Sequence, residues 1–308
     1  MNRTVHTKTL WLVAVSLLLT ACSKDAGMDQ ERYIRLRPVT AAMVAASTRG
    51  TQVTTAPASY GASCAVYAGA GGYTSAQQGS RFFNQHITSS GETGYYWPAP
   101  SKLIAVYAYY PYGDASLMLT STTASTGYPT YSYTVPDSPA QQKDVMTANM
   151  TDIRCDGSQE VDIVFSHRLS DFCMRIENYT GYDLRVNSIT VKNLKYTGTL
   201  TGSQWTLGNA RKDFTLTLNQ TVTPTNSLDA TGSTDHFLML PQTITAGSQL
   251  IDVSLTISGN THHFYYQPAT DFTPQQGAVY TFVLCIKHGI STDVTVGEWE
   301  NVNLGFNM

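Results

Sequence analysis

A chain of 308 residues with a formal charge of only −3 and 13% charged residues has no polybasic surface for nucleic acid and no acidic solvating tail. Its 19 tyrosines, together with many Thr, Ser and Gly, match the composition of extracellular β-structure. The length allows two domains of ordinary size.

The N-terminus comes first. Arg3 and Lys8 precede an apolar run, Leu10 to Leu19. That run suits a secretory signal and is shorter than the ~20 apolar residues that span a bilayer. It ends in Leu19-Thr20-Ala21-Cys22, which resembles the bacterial lipobox. Residues 1–21 are therefore expected to be a signal peptide, Cys22 the acylated residue, and 22–29 a lipidated linker. Each acyl methylene buried in a membrane contributes ~0.8 kcal/mol, so several chains anchor firmly. The alternative is a plain cleaved signal beside an incidental cysteine.

Beyond it, helical periodicity is scarce and period-2 alternation recurs. It appears in "SCAVYAG" (63–69), "KLIAVYAYYP" (102–111), "EVDIVFSH" (160–167), "DFCMRIEN" (171–178) and "DLRVNSITVKNL" (183–194). "DFTLTLN" (213–219), "LIDVSLTIS" (250–258) and "YTFVLCIKH" (280–288) continue the series. Turn formers such as "YPYGD", "SGN" and "TPQQG" separate these runs. Many short strands without intervening helices predict an all-β chain of antiparallel sandwiches. A composition break near "RCDGSQE" sets the expected domains at 30–157 and 158–308. In the second, Phe172, Met174 and Ile176 on one strand and Tyr280, Phe282, Leu284 and Ile286 on another are the expected core.

Catalytic constellations are not evident. The chain has no GxSxG elbow, HExxH helix or phosphate loop, and no carboxylate pair stands out. "AGAGGY" (68–73) opens no helix, and His262 and His263, being adjacent, point to opposite faces of a strand. His167, at the end of a strand, reads as a structural hydrogen-bonding group. Cys64, Cys155, Cys173 and Cys285 form no CxxC pair and have no histidine cluster, so neither zinc nor any other cofactor is expected. Cys173 and Cys285 share a strand context and could meet as a disulfide, with buried free thiols as the default. Tyr95, Tyr96, Trp97, Tyr107, Tyr109, Tyr110 and Tyr112 lie within 20 residues, either as a sugar-stacking surface or as core and rim of a sandwich.

Taken in order, several stretches resemble the fimbrillin-like family, the type V pilus subunits of Gram-negative gut and oral bacteria. They are the lipobox, "STRGT" after it, "YYWPAPSKLIAVYAYYP", "DVMTA", "VDIVFSHRLSDFCMRIEN", "FLMLPQTIT", "TPQQGAVYTFVLCI" and "VTVGEW". The resemblance implies two tandem transthyretin-like β-sandwiches and a non-enzymatic lipoprotein precursor at the outer membrane and cell surface. It implies cleavage by a trypsin-like, Arg-specific protease, here between Arg49 and Gly50, and polymerisation with other fimbrial subunits by strand exchange. The leading strand "RYIRLRPV" (32–39), with Ile34 and Leu36 on one face, is then the segment to be displaced. The tail "NVNLGFNM", with Val302, Leu304 and Phe306 on one face, is the donor. Alternatives stay open. Arg49 also reads as a surface charge before a turn glycine, and the tail as closing its own sheet. An uncleaved anchor or tip adhesin, binding a glycan or protein on a host or bacterial surface through the tyrosine-rich loops, has the same landmarks.

Overall fold

A computed structural model describes residues 33–40, 56–68, 79–121, 128–154, 160–231, 235–287 and 291–298. These residues form twenty strands in four sheets, with a 3-10 turn at Pro139–Gln141 and no α-helix among them. The signal segment, the 22–29 linker, Cys22, Arg49, Gly50 and the tail bearing Val302, Leu304 and Phe306 lie outside the described residues.

Five strands begin one sheet: β1 (Tyr33–Thr40), β2 (Tyr60–Ala68), β3 (Gly79–Ile87), β4 (Glu92–Tyr96) and β5 (Lys102–Tyr110). The chain leaves it for β6 (Leu117–Ser121) and β7 (Thr130–Thr134), then returns as β8 (Met146–Ile153) and β9 (Glu160–His167). The order across the sheet is β3-β2-β5-β8-β9-β1-β4. It rolls up until its two ends meet through side chains. Arg81 donates to the Tyr96 carbonyl from Nε at 3.0 Å and from Nη2 at 2.6 Å, and Gln85 donates to the Thr93 carbonyl at 2.7 Å. Ile34, Leu36, Tyr60, Ile104, Val106, Ile163 and Phe165 fill the interior. Strand β5 is apolar on both faces because both are covered. Ile104, Val106 and Ala108 face that interior, while Leu103, Ala105 and Tyr107 pack with Tyr67 and Tyr128 outside it.

The expected boundary at 157–158 falls between β8 and β9, which are paired neighbours in this sheet. Strand β9 thus lies in the first sheet.

The rest of the chain supplies β10 (Ser170–Asn178), β11 (Leu184–Lys195), β12 (Thr197–Thr201), β13 (Gln204–Leu207), β14 (Arg211–Val222) and β15 (Ser227–Asp229). Then follow β16 (Phe237–Met239), β17 (Ile251–Ile257), β18 (Asn260–Tyr266), β19 (Ala278–Ile286) and β20 (Ser291–Glu298). One sheet runs β14-β11-β17-β18; another runs β15-β10-β19-β20, with β16 also paired to β10. They share a single apolar core, in which Tyr266 of one sheet meets Phe282 of the other edge-to-face at 5.5 Å. Phe172, Met174, Ile176, Tyr280, Phe282, Leu284 and Ile286 are all buried there, as the alternation requires. The "SGN" signal makes the two-residue β17–β18 hairpin, with Ser258 at φ 50° and Gly259 at φ 83°, the pair of positive values that matches strand twist.

Two pairings depart from the antiparallel expectation. Strands β1 and β9, and β10 and β19, run parallel. A parallel pair needs a long connection, and each of these is bridged by several intervening strands. The fourth sheet, β13-β12-β7-β6, joins strands from both halves of the chain. Its Tyr131, Tyr133 and Leu200 enter the same core as the second half.

Candidate functional site

The segment "YIRLRPVT" alternates apolar and charged residues, so as a strand it offers one face to a core and the other to water. In the fold it is an interior strand. Strand β9 runs parallel on one side, from Arg35↔Glu160 to Thr40↔Phe165, and β4 runs antiparallel on the other. Ile34 is fully buried and Leu36 is 1% exposed. Backbone and side-chain groups from three other elements close on it. Thr93 Oγ1 donates to the Ile34 carbonyl at 2.7 Å, Tyr60 Oη donates to the Leu36 carbonyl at 3.0 Å, and the Leu36 N–H donates to the Gly91 carbonyl at 2.8 Å.

The outer face holds β1 through charge. Arg35 meets Glu92 at 2.7 Å, and Arg37 makes a bidentate pair with Asp162 at 2.6 and 2.8 Å. The Arg37 hydrogen bond depresses the Asp162 carboxyl below its usual range. The Arg37 and Asp162 side chains are 58% and 49% exposed, so the pair is screened by solvent and holds β1 only weakly. Burying Ile34 and Leu36 contributes ~1.5–3 kcal/mol each. Apolar burial and the backbone ladder hold β1, and the ion pairs align it.

Gly91 is the tightest point of this slot. Its φ is +68°, and a Cβ there would stand 2.4 Å from the Leu36 carbonyl oxygen. Gly91→Ala is therefore expected to lower stability by about 1–3 kcal/mol, measured by urea unfolding, and to loosen β1 first. Amide exchange at Leu36 should rise before exchange in β10 or β19.

The other residues that the sequence brings forward take structural places. Tyr107 and Tyr109 are buried, Tyr96 stacks on Tyr33 at 4.2 Å, and Tyr112 stacks on His86 at 4.6 Å. Tyr95, 40% exposed, leans on Phe82 at 5.2 Å. The tyrosine-rich stretch thus forms core and rim. His167 Nδ1 lies 2.5 Å from Asp144 Oδ2 in a buried pair, and His263 pairs with Asp252 at 2.9 Å on the surface.

No disulfide joins Cys173 to Cys285. The β10–β19 register puts Cys173 opposite Thr281 and Cys285 opposite Glu177. The two cysteines are therefore four positions apart along the strands, ~13 Å by strand rise and beyond bridging reach.

One cluster has no signal in the sequence, because its members come from segments 65 residues apart. His236 Nδ1 lies 2.8 Å from Asp171 Oδ2, and Cys173 Sγ lies 3.4 and 3.7 Å from the two ring nitrogens. The donor types are those zinc takes. However, the imidazole and carboxylate are already hydrogen-bonded to each other. Nor is the cluster a nucleophilic triad. Burial pushes the Cys173 thiol up to about 11 despite the His236 hydrogen bond, so the reactive thiolate is scarce at neutral pH. It is a buried ion pair roofed by a thiol.

The fimbrillin-like family model matches residues 42–299 of the chain. Among solved structures, a candidate cell adhesion protein of Bacteroides ovatus is similar at TM-score 0.54 and 13% identity, covering 87% of this chain and 96% of its own. One from Bacteroides uniformis has TM-score 0.47 and 17% identity, over 77% of this chain and 91% of that one. A fimbrial assembly protein of Parabacteroides distasonis has TM-score 0.39 and 10% identity, over 78% and 88%. At these identities the likeness concerns the fold. No curated protein matches.

Proposed function

Because the chain belongs to the fimbrillin-like family, we propose that it is a non-enzymatic fimbrial subunit exported as a lipoprotein precursor and assembled by strand exchange. In this reading Cys22 carries the lipid at the outer membrane, and a trypsin-like protease cuts between Arg49 and Gly50. Strand β1 then leaves, and the tail of another subunit, through Val302, Leu304 and Phe306, takes its place in the cell-surface fimbrium. The adhesive role in the name of the similar Bacteroides ovatus protein is carried over as part of the proposal.

The observation that carries the reading is the position of β1. It is an interior strand with Ile34 and Leu36 in the core, and it precedes the proposed cut in sequence. Its departure would leave facing edges on β4 and β9, with unpaired backbone groups and two apolar pockets between them. An extended segment with alternating apolar residues recovers both the hydrogen bonds and the burial. Terminal strand β20 pairs with β19 at the edge of its sheet, so the tail that follows starts from an edge.

The test is to incubate the full chain with a trypsin-like protease. The expected result is a new N-terminus at Gly50 and ladders of higher oligomers on gels, absent when residues 299–308 are removed. A trimmed chain that stays monomeric at high concentration overturns the exchange mechanism. Surface-extracted protein that keeps an acylated Cys22 and an uncut Arg49 assigns the chain to an anchor instead.

A further inference from the structure

An open cleft of about 680 Å³ lies where the first sheet meets the β12–β13 hairpin. Thr147 and Asn149 of β8, Ser166 of β9, Arg168, Gln204 and the ring of Tyr128 line it. Its size is within the range of small-ligand sites, ~300–1,000 Å³. Hydroxyl and amide groups share its walls with the apolar Met150 and Val164.

Arg168 is the unusual member. Both of its backbone groups are fixed: its N–H donates to the Val145 carbonyl at 2.7 Å, and its carbonyl accepts from Trp205 Nε1 at 2.7 Å. The side chain, so anchored, donates from Nε to Thr147 Oγ1 at 2.6 Å. Its terminal guanidinium N–H groups have no partner among the described residues. Arg35, Arg37 and Arg175 each meet a carboxylate, whereas Arg168 meets none there. Burial pulls its pKa down, opposed only by the Tyr131 phenol. A half-buried guanidinium with open N–H groups and no carboxylate beside it is suited to take an anion.

The same cleft has an unmet acceptor, since Asn149 Oδ1 is buried without a hydrogen-bond partner. A ligand that completes both groups must offer an anionic oxygen pair to Arg168 and an O–H to Asn149. Guanidinium takes planar carboxylate in a bidentate manner. The surrounding Thr and Ser hydroxyls suit further sugar hydroxyls, and the Tyr128 ring offers a flat face for a pyranose.

We propose that this cleft binds a carboxylated sugar, a uronic or sialic acid residue of a surface polysaccharide or glycan, with Arg168 gripping the carboxylate. The cleft borders β1 through Val164 of β9, so binding is measured on the uncleaved chain, where a failed polymerisation test has no bearing on it.

The experiment is calorimetric titration of the full chain with glucuronate-, galacturonate- and sialate-terminated oligosaccharides, and with their neutral counterparts. The uronate and sialate arms separate the two sources of the carboxylate. A carboxylated sugar should bind at least tenfold more tightly than its neutral form. Arg168→Gln should weaken that binding at least tenfold while the chain stays folded, read from its melting temperature. Asn149→Ala provides a second variant and should lose affinity for both sugar forms. The proposal falls if no carboxylated sugar binds, if neutral sugars or a glutamate-rich peptide bind as well, or if Arg168→Gln binds like the parent chain.

Discussion

Leu36→Ala should lower the unfolding free energy by about 2–5 kcal/mol, whereas Arg37→Ala should leave it nearly unchanged. Leu36 is 1% exposed in the rolled sheet, among Tyr60, Ile163 and Phe165, and the space it vacates is walled by β-strands that cannot collapse far. Arg37 lies outside, where its pair with Asp162 is solvated. Urea midpoints of the two variants give the comparison. The effect should also be local. Strand β1 is held by a few side-chain anchors, so weakening one lowers the cost of local opening before global unfolding. Leu36→Ala precursor should therefore be cut faster by a trypsin-like protease than the parent chain, while Phe172→Ala, in the other core, should not show that selective effect. Equal destabilisation by Leu36→Ala and Arg37→Ala would mean that β1 is held by charge and that the burial argument is wrong.

Asp171→Ala should cost about 3–5 kcal/mol, because it leaves the His236 imidazolium buried without its counter-charge. Asp171 is 1% exposed. Burial raises the Asp171 carboxyl, and the His236 hydrogen bond works against that rise. For His236, burial opposes the charge, yet the hydrogen bonds to Asp171 and Cys173 prevail and raise it to about 11. A raised imidazole favours the folded state while it is protonated. Its contribution is fully present below its ordinary value, ~6.5, and is lost as pH rises through about 11. The stability difference between the parent chain and His236→Gln should thus be largest below pH ~6.5 and shrink steadily in alkali. Replacing both partners, with Asp171→Asn and His236→Gln together, should cost less than Asp171→Ala alone, since no lone charge remains. A His236→Gln difference that grows with pH would show that the pair is held in its neutral form.

These two residues also mark the limits of what the chain reveals in one dimension. Leu36 is legible, because alternation in "YIRLRP" assigns it to a buried face. Asp171 and His236 are not, because nothing local records that β10 and the segment before β16 lie side by side. Arg168 is hidden in the same way. The sequence shows a cation after a strand, and the cleft around it is assembled from four separate segments, at Tyr128, at β8 and β9, and at the β12–β13 turn.

By itself, then, the sequence established the all-β character, most strand positions, the buried faces of β1, β10 and β19, and the family resemblance that the match over residues 42–299 bears out. The tertiary structure alone decided that β1 and β9, and β10 and β19, run parallel, that β9 belongs with the first sheet, and that β6 and β7 share a sheet with β12 and β13. The reason is physical. A two-residue period states which face of a strand avoids water, and side chains write that into the sequence. Backbone N–H and C=O groups are the same in nearly every residue, so which neighbour a strand pairs with, and in which direction, is settled by side-chain contacts between segments distant in the chain.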